Sequence, residues 1–223
     1  MNFEHELNGW ELLYRNGKRG KYPNEMLIRF INEKFELDNR QDKNILDLGY
    51  GTGRHLLYLA EQGFNTYGVE FSASGCEVAT KWLEKENLTA TIKNQTGLNY
   101  DFGDVKFDAI IDIASLECNR YDDMKAIINR SFEYIKPGGY FFSYQKSSDD
   151  SSFMDGVKIN ENTRKYSSIV SKVDTATIIT FTSIDEALWL FNSYDNVIIN
   201  KEEWTYDNLN KKVSHWVVVA QKL

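Results

Sequence analysis

The chain has 223 residues, 42% hydrophobic and 26% charged, proportions that suit one compact globular domain with ample material for a core. Lys and Arg number 26 against 33 Asp and Glu, a formal net charge of −7, which argues against nucleic acid or an anionic membrane surface as the main partner. Only two prolines occur where an average composition gives about 11, so proline-rich linkers and long disordered stretches are excluded.

Residues 1–43 read as helical, with Pro23 at a helix start in Tyr22-Pro23-Asn24-Glu25. The first residues show no basic and then apolar signal pattern, and no run approaches the roughly 18 apolar residues of a membrane span. Cys76 and Cys118 form neither a CxxC pair nor a zinc-ligand cluster. These features set the expectation of a reduced, cytoplasmic protein without a metal site.

From Asn44 to Gln145 strand-like and helix-like patterns alternate, which implies a parallel sheet covered by helices. Asn44–Leu48 reads as a buried strand, Arg54–Gln62 as a helix stopped by Gly63, and Thr66–Glu70 as a second strand. Ser74-x-x-Glu77 has the spacing of a capping box opening the next helix. Ala90–Lys93 is a weak third strand and Phe107–Ile113 a strong fourth. A helix with a stripe of Ile128, Phe132 and Ile135 stops before the Lys136-Pro137-Gly138-Gly139 turn, and Tyr140–Gln145 is the fifth strand. Residues 146–182 are polar, lack periodicity and are too long for an ordinary connection, which points to a functional loop or lid. A second capping box, Ser183-x-x-Glu186, opens a helix, and Val197–Ile199 and His215–Ala220 close the chain as antiparallel strands.

The chemistry concentrates in Asp47-Leu48-Gly49-Tyr50-Gly51-Thr52-Gly53, between a strand and a helix. Glycines let the backbone turn against a ligand with no Cβ in the way, and the helix start offers free N–H groups to a negative group. Glu70 ends the next strand, where an acceptor-only carboxylate can hold both hydroxyls of a ribose. A nicotinamide fingerprint, G-x-G-x-x-G/A, counted from Gly49 demands a small residue where Arg54 stands.

The observed G-x-G-x-G with Asp47 two residues ahead resembles motif I of the class I S-adenosylmethionine-dependent methyltransferases. Gly68-Val69-Glu70-Phe71-Ser72, Phe107-Asp108-Ala109-Ile110-Ile111 and Lys136-Pro137-Gly138-Gly139 are similar to that family's later elements, in the same order. The resemblance implies an α/β, Rossmann-like three-layer sandwich with strand order 3-2-1-4-5-7-6 and strand 7 antiparallel. It also implies S-adenosylmethionine as cofactor, bound by Asp47, Gly49, Gly51, Gly53, Glu70 and Phe71. Thr96 stands where the family often has an acid for the adenine amino group, so adenine recognition falls to Thr96, Gly97, backbone groups and stacking on Leu98.

In the family the Glu117 position often carries a histidine or acid facing the substrate. Glu117 is therefore expected to orient or deprotonate the acceptor, with Asp112 nearer the methionine portion of the cofactor. Trp10, Tyr14 and Tyr22 lie in a segment that folds over cofactor and acceptor in similar enzymes. Arg15, Lys18, Arg19 and Lys21 form a basic run that suits an anionic small-molecule substrate. The expected organisation is a single domain with a helical cap (1–43), a cofactor-binding core (44–145), a lid (146–182) and a C-terminal helix and strand pair (183–223). The expected reaction is methyl transfer to an oxygen of a sugar or phosphorylated metabolite. A methyltransferase-like binding protein that transfers nothing is the second reading, and a nicotinamide-dependent dehydrogenase the third.

Overall fold

In the computed structural model, which describes residues 3–170 and 173–223, two helices precede the first strand: α1 (Phe3–Arg15) and α2 (Glu25–Lys34). Asn24 caps α2, its side-chain oxygen accepting the Met26 N–H at 2.8 Å, so Pro23 lies just outside the helix and directs the chain into it. Strands and helices then alternate: β1 (Asn44–Leu48), α3 (Arg54–Glu61), β2 (Asn65–Glu70), α4 (Ala73–Lys85), β3 (Thr91–Asn94), β4 (Phe107–Ile113), α5 (Tyr121–Tyr134) and β5 (Ile135–Lys146). After β5 come β6 (Val157–Lys158), β7 (Thr163–Val170), β8 (Val173–Thr180), α6 (Ile184–Leu190), β9 (Asn196–Tyr206) and β10 (Lys211–Gln221).

Seven strands form one sheet in the order β3-β2-β1-β4-β5-β10-β9. Counted within that sheet alone this is 3-2-1-4-5-7-6, and β10 runs antiparallel to both neighbours. The expected Rossmann-like topology is therefore present. Neighbouring residues of the central strands go to opposite faces. Leu46, Ile110 and Phe141 pack with Met124, Ile128 and Phe191 on one side, while Ile45, Ile111 and Phe142 pack with Leu27, Phe30 and Leu59 on the other. Strands buried on both faces have to be apolar throughout, as Phe107–Ile113 nearly is.

Four local readings change. The N-cap of α4 is Ser72, whose hydroxyl accepts the Gly75 N–H at 3.0 Å, and the Ser74 hydroxyl is drawn instead to Glu11. The fifth strand begins at Ile135, ahead of the glycine turn, because a bulge opposite Phe107–Ala109 absorbs the extra residues. The closing strands run for 11 residues each. Polar residues 146–182 hold a three-stranded antiparallel sheet, β6-β7-β8, rather than irregular chain. Its inward residues include Thr163 and Thr180, whose hydroxyls pair at 2.9 Å, beside Ala176 and Ile178, so the buried face is mixed polar and apolar. Among the described residues no helix is long and apolar enough to cross a membrane.

Candidate active site

The carboxyl ends of β1, β2, β3 and β4 open onto one cavity of about 390 Å³. Its floor is the glycine loop after β1. Gly49 and Gly51 hold φ of +74° and +56°, conformations that side chains resist. A Cβ at Gly49 would overlap the Ser115 hydroxyl, and one at Gly51 would lie 2.7 Å from the Tyr14 hydroxyl. The loop ends at Gly53, φ +97°, the N-cap of α3, which has no side chain to satisfy the first helical N–H groups.

Glu70 forms the adjoining wall. One carboxylate oxygen accepts the Gly51 N–H at 2.8 Å and the other the Ser72 N–H at 2.8 Å, which fixes the plane of the group and leaves each oxygen a lone pair. Burial raises its pKa, the backbone N–H bonds oppose the rise, and the balance is about 7. Phe71, Gln95, Thr96, Gly97 and Leu98 continue the wall past β3. The Thr96 hydroxyl donates to Asn99 Oδ1 at 2.8 Å, so a lone pair of its oxygen is what it keeps for a ligand.

Asp47 is buried behind the glycine loop rather than on the cavity wall, as is Gly53. Burial first, and then the neighbouring Asp112, push the Asp47 pKa well up, and its Oδ2 has no partner in the protein. Asp112 also stands behind the wall. It accepts the Ser115 and Leu116 N–H groups at 3.1 and 2.9 Å and the Ser143 hydroxyl at 2.8 Å. These bonds hold Ala114 at φ +58° and so present Ala114 and Ser115 to the cavity.

The placement expected for Glu117 is corrected. Its carboxylate turns from the cavity and accepts the Lys146 N–H at 2.6 Å, because the end of β5 needs an acceptor there. Burial outweighs the nearby Lys146 and sets its pKa at about 8. Of the N-terminal residues, Trp10 and Tyr14 line the cavity, while Arg15 pairs outside it with Glu11 at 3.2 Å and Tyr22 is 72% exposed. Lys18 and Arg19 of the basic run reach the wall, and Lys21 does not.

Other residues at the site carry no motif. Ile178 of β8 closes the side of the cavity beyond β4, beside Cys118 and Asn119. The Thr180 hydroxyl anchors β8 by donating to the Asn119 carbonyl at 2.6 Å. Glu11, between Trp10 and Tyr14, accepts the Ser72 hydroxyl at 2.5 Å, the Ser74 N–H at 3.1 Å and the Ser74 hydroxyl. Burial opposes its ionisation, yet these bonds and Arg15 hold its pKa at about 2. A turn-forming pair of serines gives no hint in sequence that a distant helix will supply their acceptor.

An adenosyl ligand fits these residues. The floor leaves no room for a Cβ at Gly49 or Gly51, an oriented carboxylate stands at the end of β2, and apolar Leu98 and Ile127 flank the wall after β3. Residues 45–139 match the family model of a methyltransferase domain. The chain is 24% identical over 212 residues to a ubiquinone biosynthesis O-methyltransferase of Rickettsia typhi, covering 90% of this chain and 82% of that protein. It is 29% identical over 126 residues to a cypemycin N-terminal methyltransferase of a Streptomyces species, over 54% of this chain and 47% of that one. Among solved structures, a SAM-dependent methyltransferase from Methanosarcina mazei superposes with a TM-score of 0.69 at 19% identity, covering 87% of this chain and 97% of the other. One from Clostridium acetobutylicum gives 0.68 at 17% identity, covering 96% of each. Motif residues, sheet order and family model agree: residues 45–139 form a methyltransferase domain on the class I fold, whose cofactor is S-adenosylmethionine.

Proposed function

We propose that the enzyme transfers the methyl group to an oxygen of a small acceptor that carries negative charge. The observation that carries this reading is one continuous cavity. Its β2–β3 side has the chemistry of an adenosyl site, and its far side, built by Trp10, Lys18, Ser115, Cys118, Asn119 and Ile178, is apolar and cationic. The Rickettsia relative is named for an O-methyl transfer, which supports oxygen as the acceptor atom.

In this reading Glu70 holds the ribose hydroxyls, the glycine loop underlies the cofactor, and Phe71, Thr96, Gly97 and Leu98 surround the adenine. When bound, S-adenosylmethionine supplies a methyl carbon made electrophilic by its sulfonium. The chain contributes position: Ala114 and Ser115, held by the Asp112 bonds, form the wall beside which acceptor and methyl carbon would meet. Positioning of this kind accounts for on the order of 7–11 kcal/mol of a bimolecular barrier at best. Helix α1 and hairpin β7–β8 act as cap and lid. Gly9 brings α1 so close to Ala176 of β8 that a Cβ there would strike its carbonyl oxygen, and Glu11 ties the same helix to α4. The two together exclude water from the reacting centre.

The test is a panel of small acceptors scored for S-adenosylhomocysteine formation, with cofactor affinity measured by calorimetry. Transfer to uncharged amines alone would remove the oxygen assignment.

A further inference from the structure

The wall beyond β4 holds a cation and no base. The Lys18 ammonium lies 4.6 Å from the centre of the Trp10 ring and acts across the cavity on Cys118, where it works against the rise of the thiol pKa. Among the described residues neither Lys18 nor Arg19 forms an ion pair, although acidic side chains outnumber basic ones 33 to 26 in the chain. Both cations face a cavity instead of a carboxylate.

Arg54 is a third cation on the wall, at the start of α3 after the glycine loop, and the other titratable groups can be assigned one by one. Glu70 is the lone carboxylate there among the described residues, sits on the adenosyl side, and has both oxygens on backbone N–H groups. Glu117 faces the Lys146 N–H. His55 has a buried Nε2 without a partner in the protein, but it stands in α3 directly after the glycine loop, not on the wall beyond β4, and burial, then Arg54, push its pKa down to about 3. Tyr14, Tyr50 and Cys118 are pushed up, chiefly by burial, and keep their protons. An alcohol acceptor has a proton to lose, and an amine arrives protonated; both call for a general base. An acceptor that is already an anion needs none, and it provides the charge that Lys18 and Arg19 lack.

We infer that the acceptor is a small apolar carboxylic acid, bound as its carboxylate beside Lys18 and the Trp10 ring and methylated on a carboxylate oxygen to give the methyl ester. This rests on the methyltransferase reading of the cavity. The carboxylate oxygen forms the new C–O bond as the C–S bond breaks, and the electron pair of the broken bond stays on sulfur. The acceptor's negative charge and the sulfonium's positive charge disappear together, and no proton moves. Charge cancellation of this kind is favoured in poorly solvated surroundings, and Ile113, Leu116 and Ile178 supply them. A sugar hydroxyl or an amine would find neither a base nor a matching charge.

The deciding experiment titrates benzoate, benzamide and benzyl alcohol into protein saturated with S-adenosylhomocysteine, for the wild type and for Lys18→Met. Benzoate is expected to bind about tenfold more tightly than benzamide, the scale of a charge-assisted hydrogen bond. Lys18→Met is expected to abolish that preference while leaving S-adenosylhomocysteine affinity unchanged. In a parallel assay with methyl-labelled S-adenosylmethionine, label transferred to an acid is expected to be released by alkali as methanol. Equal affinity for benzoate and benzamide overturns the inference, and so does transferred label that survives alkali. Weaker S-adenosylhomocysteine binding in Lys18→Met assigns the cation to the cofactor and also overturns it. Failure of the wild type to bind S-adenosylhomocysteine is the separate failure of the underlying reading.

Discussion

Gly49 shows how little freedom single residues have at this site. Its φ of +74° is strained for any side chain, and a Cβ would displace the Ser115 turn. Gly49→Ala is expected to lower S-adenosylhomocysteine affinity about tenfold or more, because the change moves floor and wall together. Glu70→Ala removes both lone pairs proposed for the ribose and leaves the Gly51 and Ser72 N–H groups unpaired. A loss of about tenfold or more in calorimetric affinity is expected, and unchanged affinity would take Glu70 out of the cofactor site. Glu117 belongs to a different argument. Its pKa in the folded chain, about 8, exceeds the ordinary 4.5, so the fold binds a proton that the unfolded chain releases. That contribution is complete below pH 4.5 and is lost as pH rises through about 8. Asp112 and Glu70 titrate in the same direction, so the informative quantity is a difference. Between about pH 4.5 and 8 the wild-type unfolding temperature is expected to fall more steeply than that of Glu117→Gln. Parallel profiles would show that Glu117 does not carry the proton.

Among the elements, α1 has the most at stake. It carries Trp10 and Tyr14 over the cavity, and its hold on the core passes through Glu11 to Ser72 and Ser74. Ser72 in turn donates its N–H to Glu70, so one residue links the helix to the carboxylate beneath it. Glu11→Gln keeps the shape but loses a charge-assisted acceptor. It is expected to weaken S-adenosylhomocysteine binding by about threefold to tenfold. With S-adenosylhomocysteine present, trypsin is expected to cleave the variant faster than the wild type at Arg15, Lys18 and Arg19. Cleavage rates that do not change would mean that α1 is held by its packing on β8 alone. Hairpin β7–β8 was not legible as strands, since buried threonines such as Thr163, Thr175 and Thr180 interrupt the apolar alternation, of which only Ala176 and Ile178 stand out among the described buried residues. By contrast, the Ser183 capping box was plain, because both of its partners lie within one turn of chain.

For the whole molecule the cofactor is expected to act also as a stabiliser, since the cavity proposed for it is lined by α1, the glycine loop and the ends of three further strands. S-adenosylhomocysteine at about a hundredfold its dissociation constant adds about 2.7 kcal/mol. In a domain of this size that raises the unfolding temperature by about 5–10 °C. NADH at the same concentration is expected to leave it unchanged, which a thermal scan checks directly. Arg54, standing where a dinucleotide fingerprint needs a small residue, is the local reason.

Local interactions decide what can be read from one dimension. The glycine loop, the acid ending β2, the apolar central strands and the turn before β5 are each set by backbone conformation or burial over a few residues. Together they determined the topology, the family and the cofactor. The acceptor side was decided by contacts between distant segments. Glu117 was drawn away by a backbone N–H 29 residues on, and the Ile178 hairpin was seated by a bond spanning 61. Lys18 was left facing a cavity rather than an acid. Such outcomes depend on which buried polar groups find partners in three dimensions, and that competition is settled only when the whole chain has packed.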